Sequence, residues 1–134
     1  MDGGNFYIEF YVNDAERLGA LQVFFDKLKS DKGNENREPE SDEVYISYFE
    51  LLDEDAKKWF DSPENEDGSD FESMLSCLFI GEYSFTEIVR KSEKEAVLYY
   101  DPWAGPFGGT ESIKVLIEAF GHIIMYDSWN DGRP

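Results

Sequence analysis

The sequence predicts one α+β domain over residues 1–134, an antiparallel-rich sheet with helices packed on one face. Three observations carry this. Phe6 to Val12 alternates with period two, placing Phe6, Ile8, Phe10 and Val12 on one side and Tyr7, Glu9 and Tyr11 on the other. Several later runs space their apolar residues at helical intervals. Two β-rich runs, Tyr83 to Arg90 and Ala96 to Tyr100, are split by the charged turn Lys91-Ser92-Glu93-Lys94-Glu95, the pattern of a hairpin. A chain of 134 residues, 41% apolar and 16% aromatic, is the size of one ordinary domain and can close a core.

After the first strand, Asn13 and Glu16 have the residue types of a capping box, and Leu18, Leu21, Phe25 and Leu28 then follow at helical spacing. Residues 30–43 contain no apolar residue and have loop composition. Val44 to Phe49 reads as a second strand, with a short helix from Asp53 through Trp59 and Phe60. A polar loop over residues 61–70 leads into a helix whose apolar face is Phe71, Met74, Leu75, Leu78 and Phe79, with Gly81 as its C-terminal cap. After the hairpin, Pro102 to Gly109 is a rigid loop. Ile113, Leu116, Ile117 and Phe120 form the last helical face, Gly121 ends that helix, and Ile123 to Tyr126 is the closing strand. A ferredoxin-like core with an acidic helical insert is one concrete topology for this order.

Charge narrows the function. The chain has 30 acidic residues against 12 basic ones, a formal charge of −18, and residues 31–72 hold 16 acids against 4 bases, a net −12. Such a field repels phosphate, so direct binding to nucleic acid or to an anionic membrane is not expected. One cysteine, Cys77, allows no internal disulfide and no cysteine-based zinc site, and no apolar run is long enough to span a bilayer. A cytoplasmic protein is expected. Its oligomeric state is left open by the sequence.

The motifs that suggest chemistry fall short on inspection. Gly105-Pro106-Phe107-Gly108-Gly109-Thr110 lies between a strand and a helix but lacks the Gly-Lys-Ser/Thr ending of a phosphate loop, and reads as a stiff connector. Aligning Gly68 with the invariant glycine of a calcium loop puts Pro63 and Met74 at the two ends, where carboxylates are required. His122 is the only histidine, and Ser112 or Ser128 would have to join it without a nucleophile-elbow motif. Glu9, Glu87, Asp101 and Asp127 lie on or beside strands and could pair for acid–base work, although so many carboxylates pair by chance. No catalytic residue, metal or cofactor is therefore assigned.

What remains is a run of acids interleaved with aromatics. Asp53, Asp55, Trp59, Asp61, Glu64, Glu66, Asp67, Asp70 and Glu72 form the candidate partner-binding set, able to attract a basic protein surface and anchor it with a ring. The bland alternative places Trp59, Phe60 and Phe71 in the core and leaves the acids as solubilising charge. A different reading, a small-molecule-binding domain or small hydrolase, puts a pocket near Trp103, Phe107, His122 and Trp129.

The stretch from Asp101-Pro102-Trp103 through Gly108-Gly109-Thr110-Glu111-Ser112 to Leu116-Ile117-Glu118-Ala119-Phe120-Gly121 resembles a segment of small uncharacterised bacterial proteins and carries no catalytic residue to transfer. In general character, a very acidic α+β chain is similar to bacterial immunity proteins, which plug cationic toxin nucleases. That resemblance implies a non-enzymatic inhibitor that captures a basic protein.

Overall fold

In the first strand, β1 (Phe6–Tyr11), the alternation becomes geometry: Ile8 and Phe10 are fully buried while Tyr7, Glu9 and Tyr11 are only half-buried. The structure, a computed structural model, describes residues 6–32, 39, 41–61, 71–81, 83–102 and 109–128. β1 lies inside a four-stranded antiparallel sheet with β2 (Tyr83–Arg90), β3 (Glu95–Pro102) and β4 (Ile123–Asp127), in the order β2-β3-β1-β4. The hairpin pairs β2 with β3, as its charged turn predicts. The connection from β1 to β2 skips over β3, and the connection from β3 to β4 skips over β1. Two such split crossovers define the ferredoxin-like arrangement, with a helical excursion in place of the first helix.

Among the described residues that excursion has four helices: α1 (Ala15–Lys32), α2 (Asp42–Phe49), α3 (Glu54–Asp61) and α4 (Phe71–Ile80). The described part of the second crossover holds α5 (Gly109–Ala119). α1 begins one residue later than the expected cap. Asp14, not Asn13, accepts the backbone N–H of Glu16 at 2.8 Å and of Arg17 at 3.4 Å through Oδ1. The helix also continues through Ser30, Asp31 and Lys32, which the composition places in a loop. Lys32 is buried and its ammonium donates to the carbonyls of Phe79 at 2.7 Å and Gly81 at 2.8 Å, satisfying the end of α4.

The stretch Val44 to Phe49, expected as a strand, is the helix α2. Alternation would bury Ile46 along with Val44 and Tyr48, yet Ile46 is 56% exposed and Tyr48 is fully buried. Helical spacing instead turns Tyr45, Tyr48 and Leu52 inward, and packing overrides the β propensity of Val, Tyr and Ile. The Tyr48 hydroxyl donates to Asp31 at 2.6 Å, and its ring packs 5.2 Å from that of Phe24 in α1. Asp42 and Glu43 occupy the first turn, where the helix dipole favours negative charge.

Phe24 joins the helices. Its ring meets Phe71 of α4 edge-on at 6.4 Å and Phe120, just beyond α5, at 6.2 Å. These rings share one buried cluster with Ile8, Phe10, Leu98 and Tyr100, so the helices cover a single face of the sheet. Two of the described glycines are structurally required. Gly121 ends α5 with φ +88°, a conformation that side-chain-bearing residues rarely adopt. Gly81 has no positive φ; it is small because a Cβ there would collide with the ring of Tyr83.

Candidate functional site

A groove of about 530 Å³ opens among α2, α3 and α4. Its floor is three phenylalanines, with Phe71 in the middle: the Phe49 ring meets it edge-on at 5.3 Å and the Phe60 ring at 5.4 Å. Tyr45 and the exposed Ile46 form the wall on the α2 side, and Glu50, Asp61 and Glu72 bring one carboxylate each from the three segments to the rim. All three carboxylates are exposed.

The helix spacing explains this convergence. Phe49 stands one turn beyond Tyr45 and so shares its face, while the C-cap residue Glu50 stands one turn beyond Ile46. Phe60 and Asp61 close α3, and Phe71 and Glu72 open α4. The Tyr45 hydroxyl and Ser76 Oγ lie 2.7 Å apart, fixing α2 against α4. The Lys57 ammonium sits 5.7 Å from the Phe49 ring centroid, so one aromatic face at this site already carries a cation.

The predicted binding residues divide. Asp61 and Glu72 reach the rim, Trp59 packs edge-on against Phe60 at 5.0 Å, and Asp55 is exposed on α3. Asp53 is engaged within the fold. Its carboxylate accepts from Arg17 Nε at 2.7 Å and Nη2 at 2.9 Å, and caps α3 by accepting the Ala56 N–H at 2.8 Å. The same Arg17 Nη2 also donates to the Ala119 carbonyl at 3.0 Å, so one guanidinium ties α1, α3 and α5 together. Burial pushes the Asp53 carboxyl up, but the Arg17 and Ala56 hydrogen bonds outweigh it and hold the group below its ordinary value. Glu64, Glu66, Asp67 and Asp70 lie outside the described residues. Phe60 and Phe71 are each 8% exposed, so they serve the core and the groove floor at once.

Of the alternative pocket, Trp103, Phe107 and Trp129 lie outside the described residues. His122 is buried, 5.5 Å from the Phe10 ring, and its Nδ1 accepts the Asn13 N–H at 3.2 Å. Its Nε2 has no hydrogen-bond partner among the described residues, so neither Ser112 nor Ser128 bonds to the imidazole. Ser128 Oγ accepts the Tyr7 N–H at 2.9 Å instead. Desolvation pushes the His122 imidazole below its ordinary value.

The four strand carboxylates do not all share one site: Asp127 is buried on the helix side against Lys114 at 3.1 Å, whereas Glu9, Glu87 and Asp101 stand in register on the opposite face of the sheet. Among the described residues no group of three or more His, Cys, Asp or Glu is placed to hold a metal ion, and no helix is long and apolar enough to cross a membrane.

Reasoning from sequence missed Tyr45, Ile46, Phe49 and Glu50, because reading Val44 to Phe49 as a strand removed one wall of the groove. The signal was present: Tyr45, Tyr48, Phe49 and Leu52 recur at intervals of three and four. No family model matches the chain, and no curated protein or solved structure matches it.

Proposed function

We propose that this protein is a non-enzymatic acidic binding protein that captures a basic protein partner in the groove among α2, α3 and α4, its most specific form being an immunity protein that neutralises a nuclease toxin. One observation carries the reading: an open aromatic groove is rimmed by three exposed carboxylates from three separate segments, in the most acidic part of the chain. The long-range field brings a cationic surface in. An apolar side chain of the partner then enters the groove, while flanking lysines or arginines meet Glu50, Asp61 and Glu72. A nuclease site is a natural target, because a surface built to hold phosphate is already complementary to carboxylates.

The test separates charge from shape. Glu50→Gln, Asp61→Asn and Glu72→Gln together lower the association rate for a basic nuclease that the protein protects against in co-expressing cells, and they flatten its salt dependence. Ile46→Ser leaves the association rate in place and speeds dissociation. The wild-type rate falls at least about tenfold as the screening length shrinks from roughly 30 Å at 0.01 M salt to about 8 Å at 0.15 M. An unchanged rate across that range, or full protection by the triple variant, overturns the reading.

A further inference from the structure

The sheet has a second face that no described helix covers. The registers place Tyr7 opposite Tyr99, Glu9 opposite both Val97 and Tyr126, and Tyr11 opposite both Glu95 and Ile123. β2 adds Glu87 opposite Tyr99 and Val89 opposite Val97. Directly paired residues point the same way, and the intervening Ile8 and Phe10 belong to the helix-side core, so these side chains share the face turned away from the helices.

An antiparallel sheet with one solvated face ordinarily shows polar side chains there. This one shows rings. Tyr7 lies 5.9 Å from Tyr99 and 5.8 Å from Tyr126, centroid to centroid, and all three are half-buried. Val97 on this face is 1% exposed although it stands outside the helix-side core cluster, and Ile123 at the edge is 56% exposed. Glu9, Glu87 and Glu95 stand among the rings, and none of the residues that these registers place on the face is basic. At the hairpin end, the Lys94 ammonium sits 5.9 Å from the Tyr11 centroid, so one tyrosine already holds a cation from the chain itself.

We propose that this tyrosine face is a second docking surface, separate from the groove, for an arginine-bearing segment of a protein partner. Charge complementarity selects the occupant. A guanidinium is planar and weakly hydrated, stacks on tyrosine and can donate from its edge to a carboxylate, whereas an ammonium is compact and holds its water more tightly. Tyrosine is also among the side chains enriched where interfaces concentrate their binding energy. A second copy of this chain is disfavoured, because each copy carries a formal −18. Aromatic sheets can also stack unpaired bases, but here the carboxylates would meet the phosphates.

The experiment titrates the full chain, with its tyrosine rings isotope-labelled, with capped hexa-arginine, capped hexa-lysine and octa-uridylate, following ring resonances by NMR at physiological salt. Hexa-arginine is expected to shift Tyr7, Tyr99 and Tyr126 and to bind about threefold or more tighter than hexa-lysine. Tyr126→Leu should weaken binding and Tyr126→Phe restore it. The groove variant with Glu50→Gln, Asp61→Asn and Glu72→Gln should leave the ring shifts in place, which separates failure here from failure at the groove. Rings that hexa-arginine does not move, equal binding of the two peptides, or ring shifts with octa-uridylate would each overturn the proposal.

Discussion

Replacing Lys32 with methionine tests how the fold pays for a buried ammonium. Lys32 is 3% exposed, its Nζ donates to the Phe79 and Gly81 carbonyls, and it sits 5.0 Å from the Tyr83 ring centroid. Desolvation lowers its pKa to about 8, against an ordinary 10.5. Between those values the unfolded chain holds the proton and the folded chain releases it, so the Lys32 contribution to stability rises with pH across that window. A gap of this size is worth at most about 3 kcal/mol, fully expressed only above the unfolded value.

The assay is urea unfolding of wild type and Lys32→Met in parallel from pH 7 to pH 10. Taking the difference cancels the titrations that the two chains share, including those of Tyr48 and Tyr83, whose ionisation burial pushes up. At pH 7 the two effects oppose each other: methionine removes the desolvation cost but strands two carbonyls, each a loss of about 1–3 kcal/mol. The expected result is a wild-type advantage that grows by about 1 kcal/mol or more between pH 8 and pH 10. A difference that stays flat over that interval refutes the reasoning, since it means the ammonium is not desolvated in the native state.

Two more predictions follow from the helix junctions. Gly121→Ala forces a side chain into φ +88° and drives its Cβ against the Arg17 guanidinium, so thermal unfolding should show a loss of about 1–3 kcal/mol, whereas Gly19→Ala, with open space around it, should be neutral or mildly stabilising. Asp53→Asn should remove part of the acid sensitivity. Because the folded carboxyl titrates below its unfolded value, its contribution is present above the unfolded value of about 3.8 and lost as pH falls through the folded one, so the variant's acid unfolding limb should be shallower.

The sheet was legible because its signal is periodic and local. Alternation in Phe6 to Val12 and the charged turn before Ala96 each define pairing without reference to the rest of the chain, and the apolar spacing from Phe71 to Phe79 does the same for α4. The failures share a cause. Asn13 and Asp14 are both good caps, and only the backbone geometry selects Asp14. Val44 to Phe49 has β-branched and aromatic residues that suit either state, and contact with Phe24 decides for the helix. The site suffered most, because the groove is a product of three helix orientations that no single segment encodes. Asp53 looked like one more surface acid, and its partner Arg17 lies 36 residues away.

The replacement of the first crossover by α1 to α4 has an evolutionary consequence. Among the described residues every rung of the sheet ladder is supplied by β1 to β4, and the described part of the span from Ser41 to Ile80 donates none. Lineages could therefore lengthen, shorten or recolour that span, and so retarget the groove, while the β framework keeps its register. The constraint on such drift is packing: a new α4 must still present an aromatic edge to Phe24 and carbonyls to Lys32.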